Sequence, residues 1–155
     1  MTKMGIDDQV MMAARENNIS SVLFRNTIRR KLGLNITDSE CLSLLSLKGA
    51  LTPKEIGRFT GLTTGSTTAM LDRLEKAQYI QRKSNPRDRR STLIEINQKW
   101  TETSGPLVAG IQTAQAELIA SYSDEELAVI ADFLTRFAEN VKQHTEAIEE
   151  DLGNQ

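Results

Sequence analysis

The residues of this sequence best suited to binding chemistry are short hydroxylated side chains and a basic turn that follows them in the chain. The hydroxylated residues are Thr63, Thr64, Ser66, Thr67 and Thr68. The basic turn consists of Asn85, Pro86, Arg87, Asp88, Arg89 and Arg90. Hydroxyl groups can approach base edges as donors and acceptors, and guanidinium groups pair with phosphates. Together these residue types indicate contact with a polyanion.

The sequence offers no comparable set of residues for catalysis or metal binding. It lacks a nucleophile with a base and an orienting group, and it lacks a phosphate-binding loop. Its only cysteine and only histidine, Cys41 and His144, cannot form a structural zinc site. We therefore expect a protein that is not an enzyme and that uses no metal and no cofactor.

The positive charge of the chain is concentrated around the hydroxylated residues and the basic turn. The formal net charge is −2, yet ten basic residues stand against five acidic ones from Thr52 to Lys99, and nine against sixteen in the remainder. Such asymmetry is typical of a surface that binds a polyanion, and the acidic remainder limits non-specific association. The alternative is a chance cluster of charges on a solvated face.

Apolar spacing places these residues on a helix and a hairpin. The helix starts near Thr63 or Thr64 and directs Met70, Leu71 and Leu74 inward. Apolar and polar residues then alternate on either side of the basic turn, which predicts two strands with that turn at their tip. Tyr79 to Lys83 and Ser91 to Ile96 are the alternating segments.

A short helix with clear boundaries precedes this helix. Thr52 and Glu55 form a capping box around Pro53, which occupies the first helical position. Gly61 supplies the tight turn of a helix-turn-helix. The predicted fold class is therefore mainly α, a winged helix-turn-helix with a small β-hairpin wing over about residues 37–97.

Helices also occupy both ends of the chain, over about residues 6–33 and 98–149. The helix that opens the winged region is predicted to start at Thr37, with Glu40 completing its cap. In the C-terminal part, Gly105–Pro106 is expected to break or kink the helix that contains it.

The terminal helices carry apolar stripes that a small winged helix cannot cover by itself. We expect two copies of the chain to bury these stripes against each other, although a packed monomeric bundle is the alternative. A two-fold dimer would place two reading helices about 34 Å apart and predicts a pseudo-palindromic operator. The candidate dimerisation residues are Val10, Leu127, Ile130, Leu134, Phe137, Val141 and Ile148.

Length and composition favour one soluble domain over residues 1–155. Hydrophobic residues make up 39% and charged residues 26% of the chain, which is ordinary for a globular protein. No apolar run approaches the roughly 20 residues that span a bilayer, and the N-terminus lacks the apolar core of a signal peptide. We expect a cytoplasmic protein without a membrane partner.

Two segments together resemble the MarR family of bacterial transcriptional regulators. One is LTTGSTTAMLDRLEKA from Leu62 to Ala77, and the other contains Arg82 and Asp88-Arg89-Arg90. The similarity extends over nearly the whole chain, including YSDEEL from Tyr122 to Leu127. It implies an obligate homodimer whose fourth helix enters the major groove and whose wing enters the minor groove.

The resemblance carries over to individual positions. Thr64, Gly65, Ser66 and Thr68 match the groove-facing start of the recognition helix, with Thr63 as its cap and a phosphate contact. Ala69 and Arg73 lie further along its open face. Arg90 matches the wing arginine of the minor groove, and Asp88 matches the carboxylate that holds the Arg90 guanidinium. The expected phosphate contacts of the wing are Arg82, Lys83, Arg87 and Arg89.

The sequence departs from the family pattern at two positions, and its cysteine differs from that of some relatives. Gln78 replaces a common glycine after the recognition helix, so a left-handed cap there is expected to be strained or absent. Trp100, also at a common glycine position, is expected to pack over the root of the wing. Oxidant-sensing relatives keep a reactive cysteine near the start of the first helix, whereas Cys41 lies among leucines and is expected to be an inert, buried thiol.

The predicted function is sequence-specific binding of double-stranded DNA by a homodimeric repressor. The family resemblance implies that a small ligand, an apolar or aromatic acid, releases the repressor from DNA. The ligand is expected to bind in a pocket between the dimerising helices and each winged helix. The alternative is a dimeric protein-interaction scaffold that uses the winged helix without specific DNA readout.

Overall fold

The computed structural model describes residues 5–86, 88 and 90–153, which contain six helices and one two-stranded antiparallel sheet. This confirms the predicted mainly α winged-helix fold class. The chain divides into two compact units, Met1–Leu107 and Val108–Gln155. The elements in chain order are α1 Ile6–Lys31, α2 Ile36–Lys48, α3 Pro53–Thr60, α4 Thr64–Lys76, β1 Ile80–Ser84, β2 Thr92–Ile96, α5 Gln98–Ala120 and α6 Asp124–Gly153.

The core of the first unit lies between α2, α3, α4 and the hairpin. Apolar positions on the inward face of each element fill it, and the predicted inward residues of α4 are all buried. Leu51 joins the hairpin through an isolated bridge to Ile94, so the segment between α2 and α3 is tied to β2. The buried apolar residues are Cys41, Leu42, Leu44, Leu45, Ile56, Met70, Leu71, Leu74, Ile80 and Ile94.

The two helices of the helix-turn-helix begin and turn as predicted. Thr52 and Glu55 form both hydrogen bonds of the capping box, with a proline at the first turn of α3. Gly61 ends α3 with φ 67°, a left-handed conformation that glycine adopts without steric cost. Thr63 caps α4, since its hydroxyl oxygen accepts a hydrogen bond from the Ser66 backbone N–H at 3.3 Å. These local signals therefore set the start of α4.

Two predicted helix boundaries are wrong. α2 begins one residue earlier than expected, because the Asn35 side chain accepts the Asp38 backbone N–H at 2.8 Å and acts as the cap in place of Thr37. α5 continues through Pro106 as one helix, so of the predicted break or kink at Gly105–Pro106 the break does not occur, and the kink stays a prediction. A proline removes one backbone donor, and the surrounding helix tolerates that loss here.

The hairpin joins the recognition helix to α5 through one strained residue and one aromatic contact. β1 and β2 pair from Ile80 with Ile96 to Ser84 with Thr92. Gln78 adopts a positive φ of 63° between α4 and β1, so the left-handed conformation persists without the glycine that would favour it. Trp100 packs edge-on against Tyr79, with 5.2 Å between ring centroids, which confirms its expected place at the root of the wing.

The long helices expose apolar side chains within each unit. In the first unit α1 has no buried residue, and Ile19 and Leu23 are among its exposed apolar side chains. In the second unit the same holds for α6, where Phe133 and Phe137 contact each other with ring centroids 5.7 Å apart. None of the helices that the structure describes is long and apolar enough to cross a membrane.

Candidate nucleic-acid interface

The first half of α4 presents a face of small side chains to solvent. Thr64, Gly65, Ser66, Thr68 and Ala69 are all exposed. A methyl group added at Gly65 would meet no atom within 4 Å, so no packing contact in the described protein requires glycine at this position. Small side chains of this kind leave room for close approach of the backbone to another molecule.

The hydroxyl groups on this helix differ in how many hydrogen bonds they can still form with another molecule. Thr63 is occupied as the cap, and its hydroxyl also donates to the Ser66 hydroxyl at 3.0 Å. Thr68 donates to the Thr64 carbonyl oxygen at 3.0 Å, so its lone pairs remain as acceptors. The Thr64 hydroxyl forms no hydrogen bond with the residues that the structure describes and can both donate and accept. Thr67 is buried, as expected.

An open groove of about 820 Å³ adjoins this face. Its walls come from α3, from α4 and from the start of β2 beside the wing tip. Lys54 and Arg58 on α3 contribute cations that the sequence reasoning counted as charge but did not assign to the site. Their position on the first helix of a helix-turn-helix was the signal that could have identified them. The wall residues that bear on the site are Lys54, Arg58, Thr64, Thr68, Arg90 and Thr92.

The wing tip presents one arginine whose position is described. The Asp88 carboxylate accepts the Arg90 backbone N–H at 3.0 Å, which differs from the guanidinium contact expected from the sequence. The Arg90 guanidinium forms no ion pair with any described residue. Arg90 is exposed and lines the groove. Arg87 and Arg89, the other two predicted arginines of the tip, lie outside the described residues.

The remaining predicted cations are engaged by carboxylates within the protein. Arg73 binds Asp38 of α2 through Nε at 3.0 Å and Nη2 at 2.5 Å. Arg82 of β1 pairs with Asp72 at 2.7 Å and also with Glu75. These carboxylates partly neutralise the positive charge beside α4.

A third pair crosses the hairpin. Lys83 of β1 lies 2.5 Å from the carboxylate of Glu95 on β2. The hydrogen bond from Lys83 lowers the pKa of Glu95, because it stabilises the ionised carboxylate. Among the predicted wing cations whose positions are described, Arg82 and Lys83 are therefore paired with carboxylates, whereas Arg90 is not paired by a described residue.

Cys41 has the properties expected of a structural thiol. It is fully buried on α2, and burial together with the nearby Asp38 charge raises its pKa to about 12. The reactive thiolate is therefore not populated near neutral pH. Among the described residues, no group of three or more His, Cys, Asp or Glu side chains could hold a metal ion.

The predicted dimerisation residues leave apolar surface uncovered in the single chain. Val10 on α1 is exposed, and most of the α6 residues are exposed too, whereas Leu127 and Phe137 are half-buried. The exposed members on α6 are Ile130, Leu134, Val141 and Ile148.

Comparison with known proteins identifies relatives over most of the chain. The MarR family model matches residues 34–92. The HTH-type transcriptional regulator YcgE of Bacillus subtilis is 33% identical over 136 residues, which is 88% of each chain. MhqR of the same organism, also an HTH-type transcriptional regulator, is 34% identical over 113 residues, covering 73% of this chain and 78% of its own.

Solved structures share the fold at lower identity. The regulator Tm0710 of Thermotoga maritima has a TM-score of 0.60 at 19% identity, covering 89% of this chain and 97% of its own. A MarR family protein of Bacillus stearothermophilus has a TM-score of 0.57 at 20% identity, covering 90% and 99%. Staphylococcus aureus MepR, solved bound to an oligodeoxyribonucleotide, has a TM-score of 0.50 at 16% identity with the same coverage. The matched family model and these relatives, which align with most of the chain, together show that this chain belongs to the MarR family of transcriptional regulators.

Proposed function

We propose that this protein is a sequence-specific double-stranded DNA-binding regulator that acts as a homodimeric repressor. The observation that carries the proposal is the exposed face of small hydroxylated residues at the start of α4, directly beside a groove with cationic walls. Major-groove readout requires side chains that reach base edges without steric conflict. Thr64, Gly65, Ser66, Thr68 and Ala69 are the proposed groove-facing residues, and Thr63 contacts a phosphate beside them.

The wing supplies the second contact. Arg90 inserts into the minor groove, where a narrow A·T tract concentrates negative potential. The bond from the Arg90 backbone N–H to Asp88 supports this role, because it orders the turn that carries the side chain. Arg87 and Arg89 are proposed phosphate contacts from the same turn, and Lys54 and Arg58 contribute contacts from α3. Lys83 contacts phosphate through the part of its ammonium group that Glu95 leaves solvated.

Dimerisation follows from the apolar surface of the terminal helices. Exposed apolar side chains at helical spacing on α6, together with Val10 on α1, are favourable only when another surface removes them from water. A second copy of the chain is the occupant proposed, in keeping with the two-fold operators that paired reading helices recognise. Leu127, Ile130, Leu134, Phe137, Val141 and Ile148 form the proposed interface on α6.

Repression is relieved by a small ligand. An apolar or aromatic acid would bind more tightly to a dimer whose reading helices are spaced too far apart or too close for one DNA turn. Such differential binding shifts the population away from the DNA-competent state. The family resemblance supports this part of the proposal. The protein is proposed to act in the cytoplasm, where the operator is accessible.

Selection of bound sequences from a random duplex pool tests the proposal. The purified protein is expected to enrich an inverted repeat whose half-sites lie about one helical turn apart. An enriched motif without two-fold symmetry would remove the dimeric mode of reading, and no enrichment at all would remove sequence-specific binding.

Light scattering after gel filtration tests the dimer separately. Leu134→Glu is expected to shift the protein from two copies to one, because it buries a charge in an apolar interface. Gln143→Glu is the matched control, since it adds the same charge at an exposed polar position of the same helix. A wild-type protein that elutes as one copy would contradict the dimer.

The competing function is a dimeric interaction scaffold whose basic wing meets an acidic protein. The internal pairing of Arg73, Arg82 and Lys83 leaves few cations for an extended row of phosphates, whereas a contact limited to the wing tip uses Arg90, which is not paired by a described residue. Retention on duplex DNA at moderate salt discriminates the two functions. The scaffold predicts no dependence of retention on DNA sequence.

A further inference from the structure

We infer that Arg73 and Asp38 position the recognition helix, and that Arg73 acts through Asp38 rather than by contacting DNA. This inference rests on the proposed function of α4 as the reader. Arg73 belongs to the open face of α4 by sequence, and helical position alone would assign it to the interface. Its described contacts point instead toward α2.

The pair has the geometry of a fixed connection between two helices. The Asp38 side chain is only 7% exposed, and its two carboxylate oxygens each accept one hydrogen bond from Arg73, at 3.0 and 2.5 Å. A buried carboxylate has few alternatives to such a partner, because losing it leaves a desolvated charge unpaired. Two such bonds also restrict the orientation of the guanidinium more than one bond would.

A second connection lies on the opposite side of the same helix. At 100° per residue, Arg73 and the pair Asp72 and Glu75 flank the buried face of α4 on opposite sides. Asp72 and Glu75 both bind Arg82 of β1. The recognition helix is thus held by charge on its α2 side through Asp38 and on its wing side through Arg82.

These connections add directional resistance to rotation of α4 about its own axis. Met70, Leu71 and Leu74 anchor α4, but apolar packing is non-directional and tolerates small rotations about the helix axis. A roll of about 20° would move atoms at the helix surface by about 2 Å, given a helix radius of about 5–6 Å. A displacement of that size breaks hydrogen bonds to base edges. Flanking ion pairs oppose the roll in both directions.

The arrangement also explains why Arg73 is a poor phosphate contact. Its Nε and Nη2 donors are committed to Asp38, so the charge seen by an approaching phosphate is already balanced. The Nη1 donors of the half-exposed Arg73 side chain are not used by Asp38, but a phosphate that met them would face a guanidinium whose charge Asp38 already balances. Arg90, which is not paired in this way, provides the comparison within the same interface.

Operator affinity measured at several salt concentrations tests the inference. The variants are Arg73→Gln, Arg73→Lys, Asp38→Asn and the double variant Arg73→Gln/Asp38→Asn. Lys48→Gln is the matched control, because it removes one positive charge from an exposed position on α2. Affinity for random duplex DNA is measured in parallel, and circular dichroism verifies that each variant is folded.

Each single variant is expected to weaken operator binding about tenfold, and the double variant no more than either one, as for residues acting as a unit. In the double variant the slope of log affinity against log salt and the affinity for random DNA are expected to stay unchanged, because it removes both charges of a balanced pair. If Arg73 contacts a phosphate, Arg73→Gln lowers the slope magnitude by about 0.9, while Arg73→Lys and Asp38→Asn bind like the wild type. That result, or full affinity in all variants, overturns the inference.

Hydrogen exchange of the free protein decides the inference independently of DNA. Amides of residues 70–77 are expected to exchange about tenfold faster in Asp38→Asn and Arg73→Gln than in the wild type or Lys48→Gln. Unchanged exchange overturns the positioning role. If the wild type fails to distinguish operator from random DNA, the proposed function fails, and the exchange result alone determines whether the pair holds α4.

Discussion

Gly57 on α3 and Thr67 on α4 approach so closely that a methyl group on Gly57 would lie 2.9 Å from the Thr67 hydroxyl oxygen. The same methyl group would lie 3.5 Å from the Leu62 carbonyl oxygen. Thr67 is buried, and its hydroxyl has no hydrogen-bond partner among the described residues. The spacing between the two helices of the helix-turn-helix therefore depends on small atoms at this crossing.

Gly57→Ala is expected to lower the free energy of unfolding by about 1–3 kcal/mol, as overpacking of a filled site does. This loss outweighs the gain of about 1 kcal/mol from replacing a helical glycine by alanine. Thr67→Ala in the same chain should restore much of the loss, whereas Thr67→Ser should not, because serine keeps the hydroxyl group. Urea denaturation at fixed protein concentration measures the effect.

Gly65→Ala is the control for this change. No atom lies within 4 Å of the added methyl group, so the free energy of unfolding should stay constant or rise. Equal destabilisation by both glycine substitutions would show that the contact with Thr67 is not the cause.

Arg90→Ala is expected to weaken operator binding by about 1–3 kcal/mol and to reduce the salt dependence by about one phosphate contact. The reason is that its guanidinium is not paired by a described residue and can interact with DNA at little internal cost. Fluorescence anisotropy at several salt concentrations measures both quantities. Lys48→Ala, which removes an exposed charge from α2, should bind like the wild type, and light scattering should show the same oligomer for both.

Thr68→Val is expected to reduce discrimination between the operator and a single-base variant by about 1 kcal/mol, the value of one hydrogen bond. Thr68 already donates to the Thr64 carbonyl oxygen, so valine removes a base-facing acceptor while keeping the shape and a methyl group. Competition binding with operator variants measures the discrimination.

Thr103→Val is the control for the threonine change, because Thr103 makes the same kind of bond to the Lys99 carbonyl oxygen on α5. It should leave discrimination intact. A uniform loss of affinity for all DNA sequences in Thr68→Val would argue against direct base readout by this residue.

Cys41 is expected to resist alkylation in the folded protein at pH 8, reacting at least about 100-fold more slowly than in urea. Burial raises its pKa to about 12 from an ordinary value of 9.0. The unfolded chain therefore loses the thiol proton first, so the stability associated with this group is present below pH 9 and is lost as the pH rises toward 12. Cys41→Ala should show a smaller loss of stability over that interval, measured by urea denaturation against pH.

Local sequence was sufficient to predict the two helices of the helix-turn-helix, α3 and α4. Thr52, Pro53 and Glu55 define the start of α3 through bonds within one helical turn, and Gly61 defines its end by its own backbone freedom. The apolar spacing of Met70, Leu71 and Leu74 gave the buried face of α4, because a helix repeats its direction every few residues. Where two local caps competed, as at Asn35 and Thr37, pattern alone chose the wrong one.

The sequence by itself determined the fold class and the exposed hydroxylated face of α4 through neighbouring residues and their periodicity, and it indicated the family through its resemblance to known members. Only the tertiary structure decided which cations are paired within the protein. Arg73 meets Asp38 thirty-five positions away, and Arg82 meets carboxylates of α4, whereas Arg90 stays unpaired among the described residues. Ion pairs between distant elements depend on how helices and strands pack. The spacing of charges along one element does not predict that packing.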